Sequence, residues 1–148
     1  AQGDKAPVPD AKKLTLAVEH LGGAAIRLFE PAEVLGIGEG IETALAARAI
    51  SRLPVWSSVN APLLELVDIP ECVKHVVIWA DLDVSGRGEE AANVLYKRML
   101  ESGRTAEILL PQGPIPEGEK SVDWLDVLLT QGLEGFPEAW RRWQPAAA

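Results

Sequence analysis

The chain has 148 residues and a formal net charge of −8, with 47% apolar residues, which suits one compact domain with a proper core. The acidic balance argues against a freestanding, strongly basic nucleic-acid clamp, although acids gathered around a divalent metal are masked by it. Cys72 is the only cysteine, which excludes intramolecular disulfides and a cysteine-rich zinc site, and no apolar run approaches the roughly 20 residues that span a bilayer.

The opening "AQGDKAPVPDAKK", residues 1–13, lacks an apolar signal core and reads as a flexible leader or linker. Residues 14–143 read as a single domain, and 144–148 as a frayed tail. "AAIRLFEP" (Ala24 to Pro31) predicts a short strand stopped by proline, and "EVLGIGEG" (Glu33 to Gly40) a second. "IETALAARAISRL" follows as an amphipathic helix, with Ile41, Leu45, Ala49 and Leu53 on one face. "PVWSS" predicts a short strand. "NAPLLELV" has an asparagine cap and an early proline, which predict a short helix.

"KHVVIWA" is the most strand-like segment, and it ends at Asp81-Leu82-Asp83. "GRGEEAANVLYKRMLES" predicts a helix that closes at Gly103, and "TAEILLP" another strand. "QGPIPEGEK" is a turn-rich loop. "SVDWLDVLLTQG" opens with a serine cap and an acidic first turn, and "FPEAWRRW" predicts a last short helix. Short apolar strands alternating with helices predict an α/β fold, a parallel sheet covered on both faces.

Ligands bind such sheets beyond the carboxyl ends of the strands. Glu39 follows one strand and Asp81 and Asp83 follow another, so neighbouring strands would bring three carboxylates together. Their repulsion is relieved by a hard divalent cation with oxygen ligands. Gly38 and Gly40 flank Glu39 and allow close approach of a backbone or phosphate. Gly86 and Gly88 do the same at a helix start that favours an anion, and Arg87 between them offers a charge-assisted phosphate contact. Taken singly, a D-x-D unit is usually a solvated turn or helix cap, and Glu39 a favourable charge near a helix N-terminus. Both in this order, each ending a strand, carry more weight.

"GIGEGIETALAA", "VVIWADLDVSGRGEEAA" and "KSVDWLDVLL" together resemble the Toprim domain of DnaG-type primases, type IA and type II topoisomerases and some nucleases. "GGAAIRLFEP" and "LPVWSSVNAP" bring the wording nearest to primase-like members carried by phages, plasmids and integrative elements. The resemblance covers roughly Gly22 to Leu129. It implies a compact Rossmann-like Toprim fold, with about four mainly parallel strands flanked by helices. It also implies Mg²⁺ or Mn²⁺ dependence and phosphoryl transfer on nucleic acid. Glu39 matches the family's glutamate, as metal ligand or general acid–base, and Asp81 and Asp83 match its D-x-D pair. Asp123 and Asp126 hold the downstream acidic places, with Lys120 displaced upstream and Leu125 where asparagine is common. Asp123 is thereby a further candidate metal ligand.

The activity implied is nucleotidyl transfer for RNA primer synthesis, with single-stranded DNA template and nucleoside triphosphates as partners, in the cytoplasm. The alternatives are a metal-dependent Toprim nuclease and a non-enzymatic metal- or nucleic-acid-binding module. DnaG-type primases carry a zinc-binding domain and a basic subdomain that hold template, and neither lies in these residues. They are expected elsewhere in a longer polypeptide or on a partner, with a helicase as a further companion. Tyr96 reads as a packing residue, and His20 and His75 as non-catalytic. Trp79 is expected in the core and Trp56 at the cleft mouth. Trp124, Trp140 and Trp143 are expected to anchor the C-terminal helix, although aromatics beside Arg141 and Arg142 also suit base stacking.

Overall fold

The computed structural model describes residues 21–137. The predicted terminal leader and tail, the helix over "FPEAWRRW" beyond residue 137, and His20, Trp140 and Trp143 lie outside them. The elements run β1 (Val34–Gly38), α1 (Ile41–Ser51), β2 (Val55–Ser57), α2 (Ala61–Leu66), β3 (His75–Trp79) and β4 (Leu82–Asp83). They continue with α3 (Arg87–Glu101), β5 (Thr105–Leu109), β6 (Ser121–Val122), α4 (Trp124–Gln131) and a 3-10 turn at Gly132–Gly135. Four strands form a parallel sheet in the order β2-β1-β3-β5, as the alternation of short apolar runs and helices predicts.

The central strands β1 and β3 are buried on both faces, which is why they read as apolar runs, while the edge strand β5 carries Thr105 and Glu107 and is only partly buried. Alternate residues of each strand enter different cores. Leu35, Ile37, Val76 and Ile78 pack with Leu64 of α2 and Leu95 and Met99 of α3. Val77 and Trp79 pack on the other side with Ala44 and Ala47 of α1 and Trp124 and Val127 of α4. On that second side β1 presents glycine. A Cβ on Gly36 would meet Val55 at 2.8 Å and the Trp79 indole nitrogen at 3.1 Å, and one on Gly38 would meet Thr43 at 3.0 Å. The glycines make room for a large indole and for close docking of α1.

That docking corrects the predicted face of α1. The helix buries Thr43, Ala44, Ala46, Ala47, Ile50 and Ser51, while Ile41 and Leu45 remain 41% and 48% exposed and Ala49 is exposed too. Small residues let the helix backbone approach the sheet, and this advantage overrides the spacing of the larger side chains. Leu53, beyond the helix, is buried as expected. The predicted first strand is also corrected. Residues 24–31 make one antiparallel bridge, Ile26 to Ser57, with N–H to O distances of 2.7 and 3.1 Å in the two directions. That bridge covers part of the exposed edge of β2.

Trp56 is fully buried rather than at a cleft mouth. Its indole nitrogen donates to the Phe29 carbonyl at 2.7 Å, and the Arg27 guanidinium lies 4.9 Å from its ring centre. Tyr96 packs against the core on the α2/α3 side. The helix α4 is capped by Asp123, not Ser121. The Asp126 N–H donates to Asp123 Oδ1 at 2.8 Å and the Asp123 N–H donates to Asp126 Oδ2 at 3.1 Å, closing a capping box. Ser121 is instead committed to β6, which pairs antiparallel with β4 in a ribbon that the sequence reading did not contain.

Trp124 fastens α4 to the strand that carries the aspartates. Its ring packs edge-on against Trp79, with centroids 5.1 Å apart, and its buried indole N–H donates to the Ala80 carbonyl at 3.1 Å. Trp124→Phe keeps much of the ring packing and leaves that carbonyl without its donor, so it should lower unfolding free energy by about 1–2 kcal/mol. Trp124→Ala should lower it by about 3–5 kcal/mol. Urea denaturation of the three proteins measures both, and equal stability of wild type and the alanine variant would remove this anchor from the account.

Candidate active site

The order β2-β1-β3-β5 makes the junction of β1 and β3 a topological switch point. From β1 the chain leaves through α1 toward β2. From β3 it leaves through α3 toward β5. The two helices cover opposite faces, so their first turns diverge above the carboxyl ends of the two strands. The parallel register pairs Gly38 with Trp79, which sets Glu39 and Asp81 at the same edge. A cleft of about 750 Å³ opens there, lined among others by Glu39, Asp81, Asp83, Arg87, Gly88, Glu119 and Lys120. The three expected carboxylates therefore share one cleft.

Each is held by its own part of the fold. The backbone of Glu39 is fixed by Ser57 of β2, whose hydroxyl donates to the Glu39 carbonyl at 2.8 Å. Asp81 accepts a hydrogen bond from Thr43 Oγ1 at 2.8 Å, which ties the end of β3 to the first turn of α1. Thr43 is buried and was missed in the sequence. Its only signal there is its place four residues after Glu39, one turn into the helix. Asp83 binds the start of α3: its Oδ2 accepts from the Gly88 N–H at 2.9 Å and its Oδ1 from the Arg87 N–H at 3.3 Å. The Ser85 hydroxyl also donates to Oδ1.

These environments drive the two aspartates apart. Burial pushes the Asp81 carboxyl up to about 7. The Thr43 hydroxyl opposes this, while the carboxylates of Asp123, Glu39 and Asp126 push further upward. Burial also works against the charge of Asp83, but the Ser85 hydroxyl and the backbone N–H groups of Gly88, Arg87 and Ser85 outweigh it and hold that carboxyl below its usual value. Asp123 is raised, first by burial, against the Asp126 N–H and with the carboxylates of Asp126 and Glu42. It is not among the residues lining the cleft, and its charge raises Asp81 while it caps α4.

Of the expected phosphate contacts, Gly86 takes a left-handed conformation, φ +71°, that turns the chain into α3. Gly40 caps α1 in extended conformation. Gly88 is the tight position: a Cβ there would meet the Asp81 carbonyl and Asp83 Oδ2 at 3.1 Å and Glu39 Oε2 at 3.8 Å. Arg87 lines the cleft, but its Nη1 pairs with Glu65 of α2 at 2.5 Å and with Glu90 at 3.3 Å.

The donors facing the cleft are hard carboxylate oxygens, the chemistry that suits Mg²⁺ or Mn²⁺, and the Asp81 carboxyl, raised first by burial and then by its acidic neighbours, marks where a cation would relieve repulsion. The residues thus fit a divalent ion in donor type. Among the described residues, no three acidic, histidine or cysteine side chains are already grouped to hold one ion. Asp81 and Asp83 are engaged with Thr43 and with α3.

The Asp81 shift links folding to pH. A carboxyl raised from 3.8 to about 7 binds its proton more tightly folded than unfolded, so metal-free stability declines as pH rises from about 4 to 7 and is level above. Asp81→Asn removes this decline. In chelator at pH 8 the variant should be more stable than wild type by on the order of 1–3 kcal/mol, with most of the gain gone at pH 4. Urea denaturation at the two pH values decides it, and a gain equal at both would show an unshifted carboxyl.

A family model described as a Toprim domain matches residues 34–134. None of the curated proteins matches the chain. Among solved structures, the chain is similar to the crystal structure of a DNA primase domain from Pseudomonas aeruginosa, with a TM-score of 0.54 and 17% identity. That similarity covers 87% of this chain and 40% of the other, and at this identity it is a likeness of fold. The family match spans both strands whose ends carry the acids, the D-x-D turn and the capped helix α4, and on it the chain belongs to the Toprim family.

Proposed function

We propose that this chain is the catalytic module of a DNA primase-type nucleotidyltransferase, acting on nucleoside triphosphates and single-stranded DNA with Mg²⁺ or Mn²⁺. The observation that carries the reading is the convergence of Glu39, Asp81 and Asp83 in one cleft at the switch point of a Toprim sheet. Glu39, Asp81 and Asp83 would hold the ion, with Asp123 as a further acid near Asp81. Such an ion would supply charge neutralisation at the triphosphate and at the attacking hydroxyl.

The chain's own groups position and screen. Glu39 is assigned to take the proton of an attacking 3′-hydroxyl as the new oxygen–phosphorus bond forms and pyrophosphate leaves, a role supported by its place in the cleft. Gly86 and Arg87 bring the start of α3 to the side of the cleft where phosphate would lie, its first N–H groups held by Asp83 and the Arg87 guanidinium paired with Glu65 and Glu90, and Gly40 leaves room beside Glu39. Catalysis of this kind is mostly positioning and charge stabilisation. The cleft offers few groups to grip a polynucleotide, so template binding is assigned to other parts of a larger polypeptide or to a partner, such as a zinc-binding domain or helicase.

The test is primer synthesis from labelled ribonucleotides on single-stranded DNA with Mg²⁺ or Mn²⁺. The chain alone should be nearly inactive. With template-binding parts present, activity should appear, and Glu39→Gln should reduce it at least about 100-fold. Undiminished synthesis by Glu39→Gln would remove Glu39 from the chemistry. Cleavage of DNA or RNA by the chain, abolished by Asp81→Asn, would replace the primase reading with the nuclease one.

A further inference from the structure

The cleft is lined by four carboxylates, Glu39, Asp81, Asp83 and Glu119, and by two cations, Arg87 and Lys120. A phosphate-bearing substrate entering it meets a field of its own sign. The two cations differ in what they have left to offer. The Arg87 guanidinium is shared between Glu65, at 2.5 Å, and Glu90, at 3.3 Å, so the three side chains together carry a net negative charge. Lys120 makes no ion pair with any described residue.

Its position is fixed by backbone alone. The ribbon sets Asp83 opposite Ser121, and the Val84 N–H donates to the Lys120 carbonyl at 3.0 Å. Lys120 therefore reaches the cleft from a different element than Arg87, directly beside the D-x-D turn. Its side chain remains exposed and adjustable. A compact ammonium with three donors suits a phosphate oxygen of variable position. A guanidinium already locked to two carboxylates suits holding α2 against α3.

Resting on the reading of the cleft as a phosphoryl-transfer site, we infer that Lys120 is the principal phosphate-contacting side chain, and that Arg87 chiefly fastens the cleft wall through Glu65. The phosphate belongs either to a nucleoside triphosphate or to the nucleic-acid backbone.

Wild type, Lys120→Gln, Lys120→Arg, Arg87→Gln and Asp81→Asn are titrated with Mg²⁺-ATP and, separately, with a short single-stranded oligothymidylate in Mg²⁺. Binding is followed by amide shifts in NMR, and Mn²⁺ binding by electron paramagnetic resonance reports on the carboxylates independently. Lys120→Gln should weaken binding about three- to ten-fold, Lys120→Arg should restore most of it, and Arg87→Gln should change it less. Mn²⁺ binding should survive in both Lys120 variants and fall in Asp81→Asn. Loss confined to ATP assigns the triphosphate, and loss confined to the oligonucleotide assigns the backbone.

Unchanged affinity in Lys120→Gln, or a larger loss in Arg87→Gln, overturns the inference and leaves the metal site standing. So does a wild type that takes Mn²⁺ but neither phosphate probe. A wild type that takes neither Mn²⁺ nor phosphate overturns the underlying reading as well.

Discussion

The parallel pairing of Val34–Gly38 with His75–Trp79 is the constraint from which the site follows. Its register brings Glu39 and Asp81 to the same edge, and the helices that leave the two strands pass to opposite faces. Two things let α1 and Trp79 pack closely over it. Gly36 and Gly38 admit Trp79 and the backbone of α1, and the small face of α1 accepts that approach. The result gathers like charges at one edge, and nothing in the sheet itself compensates them. Packing of the apolar strands holds in place an arrangement that electrostatics alone opposes.

The surroundings divide that burden unevenly. Asp83 is satisfied by the N-terminus of α3 and stays readily ionised, while Asp81 is buried with one hydroxyl partner and stands near neutrality in its titration. One carboxylate thus organises the loop, and the other keeps its proton up to about neutral pH unless a cation takes the proton's place. Serving as helix cap and serving as metal ligand are compatible for the same D-x-D pair, because the cap orients the turn whether or not an ion is bound. The capping box of Asp123 and Asp126 plays a similar double part, ending the ribbon, starting α4 and raising the charge density near Asp81.

Much of this was legible in the sequence, because strand ends are marked by composition. An apolar run that stops at an acid locates both the element and the residue that follows it, which placed Glu39, Asp81 and Asp83 correctly in one cleft. Local cap signals served equally well for Asn60, whose side chain accepts the Leu63 N–H at 3.0 Å. What escaped depends on contacts between distant segments. Thr43 matters because β3 ends beside it, Trp56 is buried because Arg27 and Phe29 close over it, and the β4–β6 ribbon needs partners about 40 residues apart. The buried face of α1 was misjudged because Ile41 and Leu45 are larger than the alanines that in fact meet the sheet.

The most direct measurement of the central claim is Mn²⁺ binding by wild type and by the Asp81→Asn/Asp83→Asn double variant, followed by electron paramagnetic resonance. Wild type should show one weak site, because substrate phosphate completes the coordination shell of such ions. The double variant should lose that site while keeping its far-ultraviolet circular dichroism. Equal binding by two equally folded proteins would mean that the carboxylates at the switch point are not a metal site.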